Sequence, residues 1–110
     1  MSGIDIDAIA GAMLAASKAS LQQSWPKVKE YMSAEARKIA LTFAQIETLK
    51  QQNKISETEA HVLFEMQKNA SRAVLLAVKG MGMIAVEQAI NAALGAVSEI
   101  VNGALGFALI

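Results

Sequence analysis

The fold of this chain is decided by residues 65–102, which read EMQKNASRAVLLAVKGMGMIAVEQAINAALGAVSEIVN. Polar or small residues recur along this region at gaps of three, four, seven or eight, which places them on one face of an α-helix. The remaining circumference is apolar, so it must be covered by protein, by further copies of the chain or by lipid. We call the recurring positions the polar stripe: Lys68, Arg72, Lys79, Glu87, Asn91, Gly95, Ser98, Asn102 and Gly106.

The rest of the 110-residue chain is also predicted to be helical. The pattern predicts an all-α protein, a small helical bundle or helical hairpin of three to four helices in a single domain, with a long apolar C-terminal helix pair. Helices are expected over residues 7–24, 26–52, 57–79 and 83–102, with three helices in total if the last two are continuous.

Local start signals support these boundaries. Pro26 suits the first turn of a helix, and Ser56 with Glu59 three residues later forms a capping-box sequence. The short polar connection before Ser56 predicts that the second and third helices are antiparallel neighbours. Gly80 and Gly82 then indicate a turn, a hinge or a close helix crossing. If the helix continues through them, the stripe's spacing of about 3.7 residues per turn predicts a rod that is straight or has a slight right-handed supercoil.

Composition and charge exclude several classes of protein. Hydrophobic residues make up 54% of the chain, and the net charge of zero argues against a nucleic-acid partner. The absence of cysteine excludes disulfides and thiolate chemistry. The N-terminal region lacks the basic start of a secretory signal, so the expected location is the cytoplasm, release by another route, or a membrane surface. Uncharged runs of at most eleven residues predict that an ordinary transmembrane helix is absent.

Residues for catalysis or metal binding are scarce. His61 is the only histidine, and Glu65 on the same predicted helix face offers a second ligand at most. Glu57 precedes His61 by four residues, whereas carboxylate-bridged di-iron bundles use a spacing of three. No G-x-S-x-G sequence occurs, and Gly80 and Gly82 lack the lysine and hydroxyl residue of a phosphate-binding loop. We therefore expect no catalytic residues, cofactor, metal or small-molecule substrate.

The expected activity is association of helices. Two sets of residues are predicted to carry it. The first set, for contacts with other copies or with a membrane, is Leu75, Leu76, Val78, Met83, Ile84, Val86, Ile90, Leu94, Val97, Val101, Leu105 and Phe107. The second set, for bending or close helix packing, is Gly80, Gly82, Gly95 and Gly103.

Three functions fit this pattern. The first is a non-enzymatic homo-oligomer or filament in which the apolar C-terminal helices of several copies share one core. The second is a membrane-active protein that opens at Gly80 and Gly82 and inserts its last two helices, forming a pore or a membrane anchor. The third is an adaptor whose groove binds a helix of a partner protein. The predicted partners are thus the chain itself and, in the second case, membrane lipid.

Overall fold

Helices account for nearly all of the computed structural model, which describes residues 3–110. In this part of the chain the elements are four α-helices and one short 3-10 turn, with no strand. This arrangement confirms the predicted all-α class with three to four helices. The elements are α1 (Ile6–Leu21), the 3-10 turn Gln22–Ser24, α2 (Trp25–Gln51), α3 (Glu57–Ala77) and α4 (Met83–Leu105).

The helix boundaries follow from local chemistry. At the start of α1 the Asp5 carboxylate accepts a hydrogen bond from the backbone N–H of Ala8, at 3.1 Å. α1 ends three residues before the predicted position because Gln22 adopts a positive φ of 47°, which a helix cannot continue through. At α3 the capping box is confirmed: the Ser56 hydroxyl accepts from the N–H of Glu59, and the Glu59 carboxylate accepts from the N–H of Ser56.

α3 and α4 are separate helices rather than one rod. Val78 leaves the helix in an extended conformation, Gly80 has a φ of +88°, and Gly82 is the extended residue before α4. A positive φ of this size suits glycine because it carries no Cβ. The regular spacing of the polar stripe across residues 79–82 is therefore accidental, and its two halves lie on different helices.

The four helices pack unequally. α1 lies between α2 and α4 and packs extensively against both, while α2 packs along α3. α3 touches α4 much less, so α2 is its main support. The core runs through the middle of the bundle, where the rings of Phe43 and Phe64 stack with their centroids 5.6 Å apart. Burial thus concentrates around α1, α2 and α4, and α3 lies at one side.

Candidate interaction surface

The predicted contact residues divide into three groups by burial. Seven lie in the chain's own core: Leu75, Val86, Ile90, Leu94, Val97, Val101 and Leu105. Three are partly buried against that core: Leu76, Val78 and Phe107. Two are exposed: Met83 at 66% and Ile84 at 76%.

This division shows that the chain itself covers most of the predicted contact residues of α4. α4 presents its apolar side to α1, and the buried Ala89 and Ala93 leave room for a close approach of the two helices. The seven core residues cannot reach a second copy while the bundle is closed. Any association surface of the closed bundle must therefore lie elsewhere.

α4 is long and apolar enough to span a membrane, which the lengths of the uncharged runs in the sequence did not indicate. Among the described helices, it is the one with the length and hydropathy to cross a bilayer, because Glu87 and Glu99 are too few to lower its mean hydropathy far. Buried core helices pass the same test, and 39% of the relevant α4 segment is buried.

The four predicted glycines also divide. Gly80 and Gly82 form the turn between α3 and α4, in agreement with their predicted bending role. Gly95 and Gly103 are exposed on α4, and a Cβ added at either would meet no other atom within 4 Å. Within the described chain they are therefore not positions of close packing.

The apolar C-terminal tail folds back onto the bundle and is fixed by one side chain. The Asn102 amide oxygen accepts hydrogen bonds from the N–H groups of Leu109 (2.8 Å) and Ile110 (3.1 Å), and its amide nitrogen donates to the Ile110 carbonyl oxygen at 2.7 Å. Leu109 is buried, and the Phe107 ring lies edge-on to the imidazole of His61. Apart from the presence of Asn102 in the polar stripe, no sequence pattern indicated this role.

The tail lies over the space between α3 and α4. Leu109 and Ile110 line a cleft there together with Phe64 and Lys68 of α3 and Leu94 of α4. The tail thus covers apolar surface that the slight contact between α3 and α4 leaves open.

The polar stripe does not simply face water. Arg72 of α3 pairs with Glu87 of α4, and both side chains are partly buried. The Lys68 Nζ lies 3.9 Å from Oε1 of Glu65, and the Lys68 side chain is also partly buried. The charged side of α3 is therefore turned towards α4, and the ion pair joins the two helices where apolar contact is limited.

The opposite side of α3 is exposed and apolar. At 100° per residue, Val62, Met66, Ala70, Ala73 and Ala77 share one face, and all five are exposed. Val62 and Met66 are 53% and 63% exposed. No charged side chain interrupts these positions, and we call this surface the α3 outer face.

Shallow clefts between α2 and α3 border the α3 outer face. One lies between Thr42 and Gln45 of α2 and Met66 and Ala70 of α3. Nearer the end of α3, Lys27 and the half-exposed Tyr31 of α2 border a cleft with Val74 and Ala77. The surface therefore continues sideways from the apolar residues of α3 to polar and aromatic residues of α2, and a neighbouring helix could lie along it.

Two buried carboxylates were not predicted. The Glu47 carboxylate accepts a hydrogen bond from the N–H of Gly3 at 2.8 Å, which ties the N-terminal segment to α2. The Glu35 carboxylate binds the Lys38 ammonium at 2.9 Å, while its Oε1 has no hydrogen-bond partner within residues 3–110. Both lie at the margins of α2's apolar face, where sequence periodicity cannot separate a buried position from an exposed one.

One carboxyl group of the described chain has a shifted pKa. The hydrogen bond from the Ser56 backbone N–H, followed by that of the Ser56 side chain, lowers the pKa of Glu59 below its usual 4.5. In the part of the chain that the structure describes, no cluster of three or more His, Asp or Glu side chains could hold a metal ion.

The candidate surface is thus the α3 outer face together with its bordering clefts. Comparison with protein-family models, with curated proteins and with solved structures finds no match to this chain.

Proposed function

We propose that this protein is a non-enzymatic helical protein that self-associates into a homo-oligomer, with the α3 outer face as its contact surface. The observation that carries the proposal is the row of five exposed, uncharged positions from Val62 to Ala77. It spans about four helical turns.

Burial supplies the driving force for this association. Removing apolar surface from water stabilises a complex by roughly 25 cal/mol per Å², before the entropy cost of association. Contiguous apolar patches on proteins commonly mark interaction sites. The exposed side chains of Val62 and Met66 would gain most from such burial, because they are the largest on this face.

The proposal is tested by the mass of the protein in detergent-free buffer. We expect sedimentation equilibrium to show an oligomer of the 11.6 kDa chain whose fraction rises with concentration. Met66→Lys should shift this equilibrium towards monomer, because it places a charge in the contact. Leu41→Lys, at an exposed apolar position on α2, is the matched control and should leave the equilibrium unchanged. A wild-type chain that stays monomeric at every concentration contradicts the proposal.

A second candidate function is membrane insertion, and the length and hydropathy of α4 favour it. The slight contact between α3 and α4 and the glycine-containing turn at Gly80 would allow the two helices to separate. In the open state they would enter the bilayer as a hairpin, and several copies could form a pore.

Dye release from vesicles tests this second function. We expect the wild-type chain to release dye from neutral or anionic vesicles in a concentration-dependent manner. A Gly3→Cys and Ala104→Cys pair supplies a control. A Cβ at Gly3 would lie 2.9 Å from that of Ala104. A disulfide needs about 3.5–4.5 Å between these two atoms, so it forms once the segment around Gly3 moves outward by about 1 Å. Oxidation of the pair should hold α4 against the bundle and suppress release, and reduction should restore it. Vesicles that stay intact with the wild-type chain contradict membrane insertion.

A further inference from the structure

We propose that the α3 outer face binds the same face of a second copy in antiparallel orientation, about a two-fold axis between Asn69 and Ala70. This inference rests on the proposed self-association and specifies its geometry. In a two-fold dimer, when residue i of one chain contacts residue j of the other, residue j of the first chain also contacts residue i of the second, so the surface must be complementary to itself.

Side-chain size supplies the first argument. The first half of the face carries the larger residues Val62 and Met66, and the second half carries Ala73 and Ala77. The proposed axis places Val62 opposite Ala77 of the second copy and Met66 opposite its Ala73. Large residues then meet small ones, which lets the two helices approach closely over the whole contact. A parallel pair would instead place large residues against large ones at one end.

Charge supplies the second argument. Glu59 is exposed at the beginning of the face, where Lys54 lines the same cleft, while Lys79 and Lys27 lie beside the cleft at its end. The same axis brings Glu59 of one copy level with Lys79 of the other. Opposite charges therefore meet at both ends of the contact, whereas a parallel pair would bring Glu59 close to Glu59.

The other exposed apolar residues of α4 do not form a comparable row along a helix. Met83 and Ile84 are exposed side by side, but they stand together at the beginning of α4. Ile84 and Ile100 of α4 are 16 positions apart, which is about 24 Å along a helix. Gln88, Asn91 and Glu99 are exposed between them. A second copy would gain little from this side of α4, so the contact is assigned to α3.

Disulfide crosslinking of single-cysteine variants tests the orientation, and the chain contains no cysteine of its own. Ala70→Cys lies beside the axis, so two copies should crosslink and give a band of twice the 11.6 kDa chain mass. Val62→Cys and Ala77→Cys should each crosslink weakly alone and efficiently when the two variants are mixed. Leu41→Cys, which is exposed on α2, is the matched control and should give no dimer band above background.

The outcomes separate the orientation from the association itself. If wild-type protein is monomeric by sedimentation and no variant crosslinks, self-association and its geometry both fail. If the protein associates but Val62→Cys crosslinks efficiently with itself, the pair is parallel and only this inference is overturned. If it associates while Ala70→Cys crosslinks no better than Leu41→Cys, the contact lies elsewhere and the inference is again overturned. All four positions are exposed, so circular dichroism should show the wild-type helix content in each variant.

Discussion

α3 and α4 are adjacent helices of similar length, but their apolar side chains are buried to different extents. α4 is the more apolar of the two, and its large side chains are mostly buried against α1. α3 is less apolar overall, yet it leaves Val62 and Met66 largely exposed. The amount of apolar sequence therefore did not identify the free surface.

The placement of the charged residues explains this difference. On α3, Arg72 is turned towards Glu87 of α4, which leaves the opposite apolar side facing outward. On α4, the exposed side carries Gln88, Asn91 and Glu99, and most of the large apolar residues face inward, apart from Met83, Ile84 and Ile100. On α3 the charged face is used for contacts within the fold, and the apolar face is left exposed.

The largest difference in unfolding free energy is expected when the same substitution is made on α4 and on α3. Val97→Ala removes two methyl groups from a fully buried position of α4 and should cost about 2 kcal/mol or more of unfolding free energy. Val62→Ala on the α3 outer face should change it by less than about 0.5 kcal/mol. Urea denaturation at low protein concentration measures both. Equal losses would show that Val62 is as well packed as Val97.

The attachment of the C-terminal tail should have the next largest effect. Asn102→Ala removes the acceptor of the Leu109 and Ile110 N–H groups and should cost about 1–3 kcal/mol. Hydrogen exchange at these two amides should accelerate at the same time. Asn91→Ala, at an exposed position of the same helix, is the control and should leave exchange in the tail unchanged. Unchanged protection in Asn102→Ala would mean that packing alone holds the tail.

Two glycines of α4 should respond with opposite signs. Gly95→Ala should stabilise the chain by about 0.5–1 kcal/mol, because Gly95 is helical and has free space at the Cβ position. Gly106→Ala should destabilise it by about 1–2 kcal/mol, because Gly106 has a φ of +82°. Thermal or urea denaturation measures both changes. Loss of self-association in Gly95→Ala would place the contact on α4 and not on α3.

The smallest effect concerns acid stability at the start of α3. Because the folded-state pKa of Glu59 is lowered, its carboxylate stabilises the fold above about pH 4.5, and this contribution is lost as the pH falls through the folded-state pKa. Glu59→Gln keeps an acceptor for the Ser56 N–H but does not titrate, so its denaturation midpoint should depend less on pH below 4.5. An identical pH dependence in both proteins would show that the capping interaction is insensitive to the Glu59 charge.

Much of the fold could be read from the chain because local patterns specify it. The apolar spacing of α2, the capping box at Ser56 and Glu59, and the glycines around the turn after α3 each act over a few residues. The candidate surface could not be read in this way. Leu94 and Ile84 both looked equally suited to contacts between copies, but only packing against other helices buries Leu94 and leaves Ile84 exposed.

Caps, turns and 3.6-residue periodicity are short-range effects, so they specify from the sequence that the protein is helical and where its helices begin. The packing of the helices is needed to see which apolar faces are covered, that Asn102 holds the C-terminal tail, and that α3 turns its charged side towards α4. Those outcomes depend on which helices become neighbours, and that depends on the packing of the whole chain.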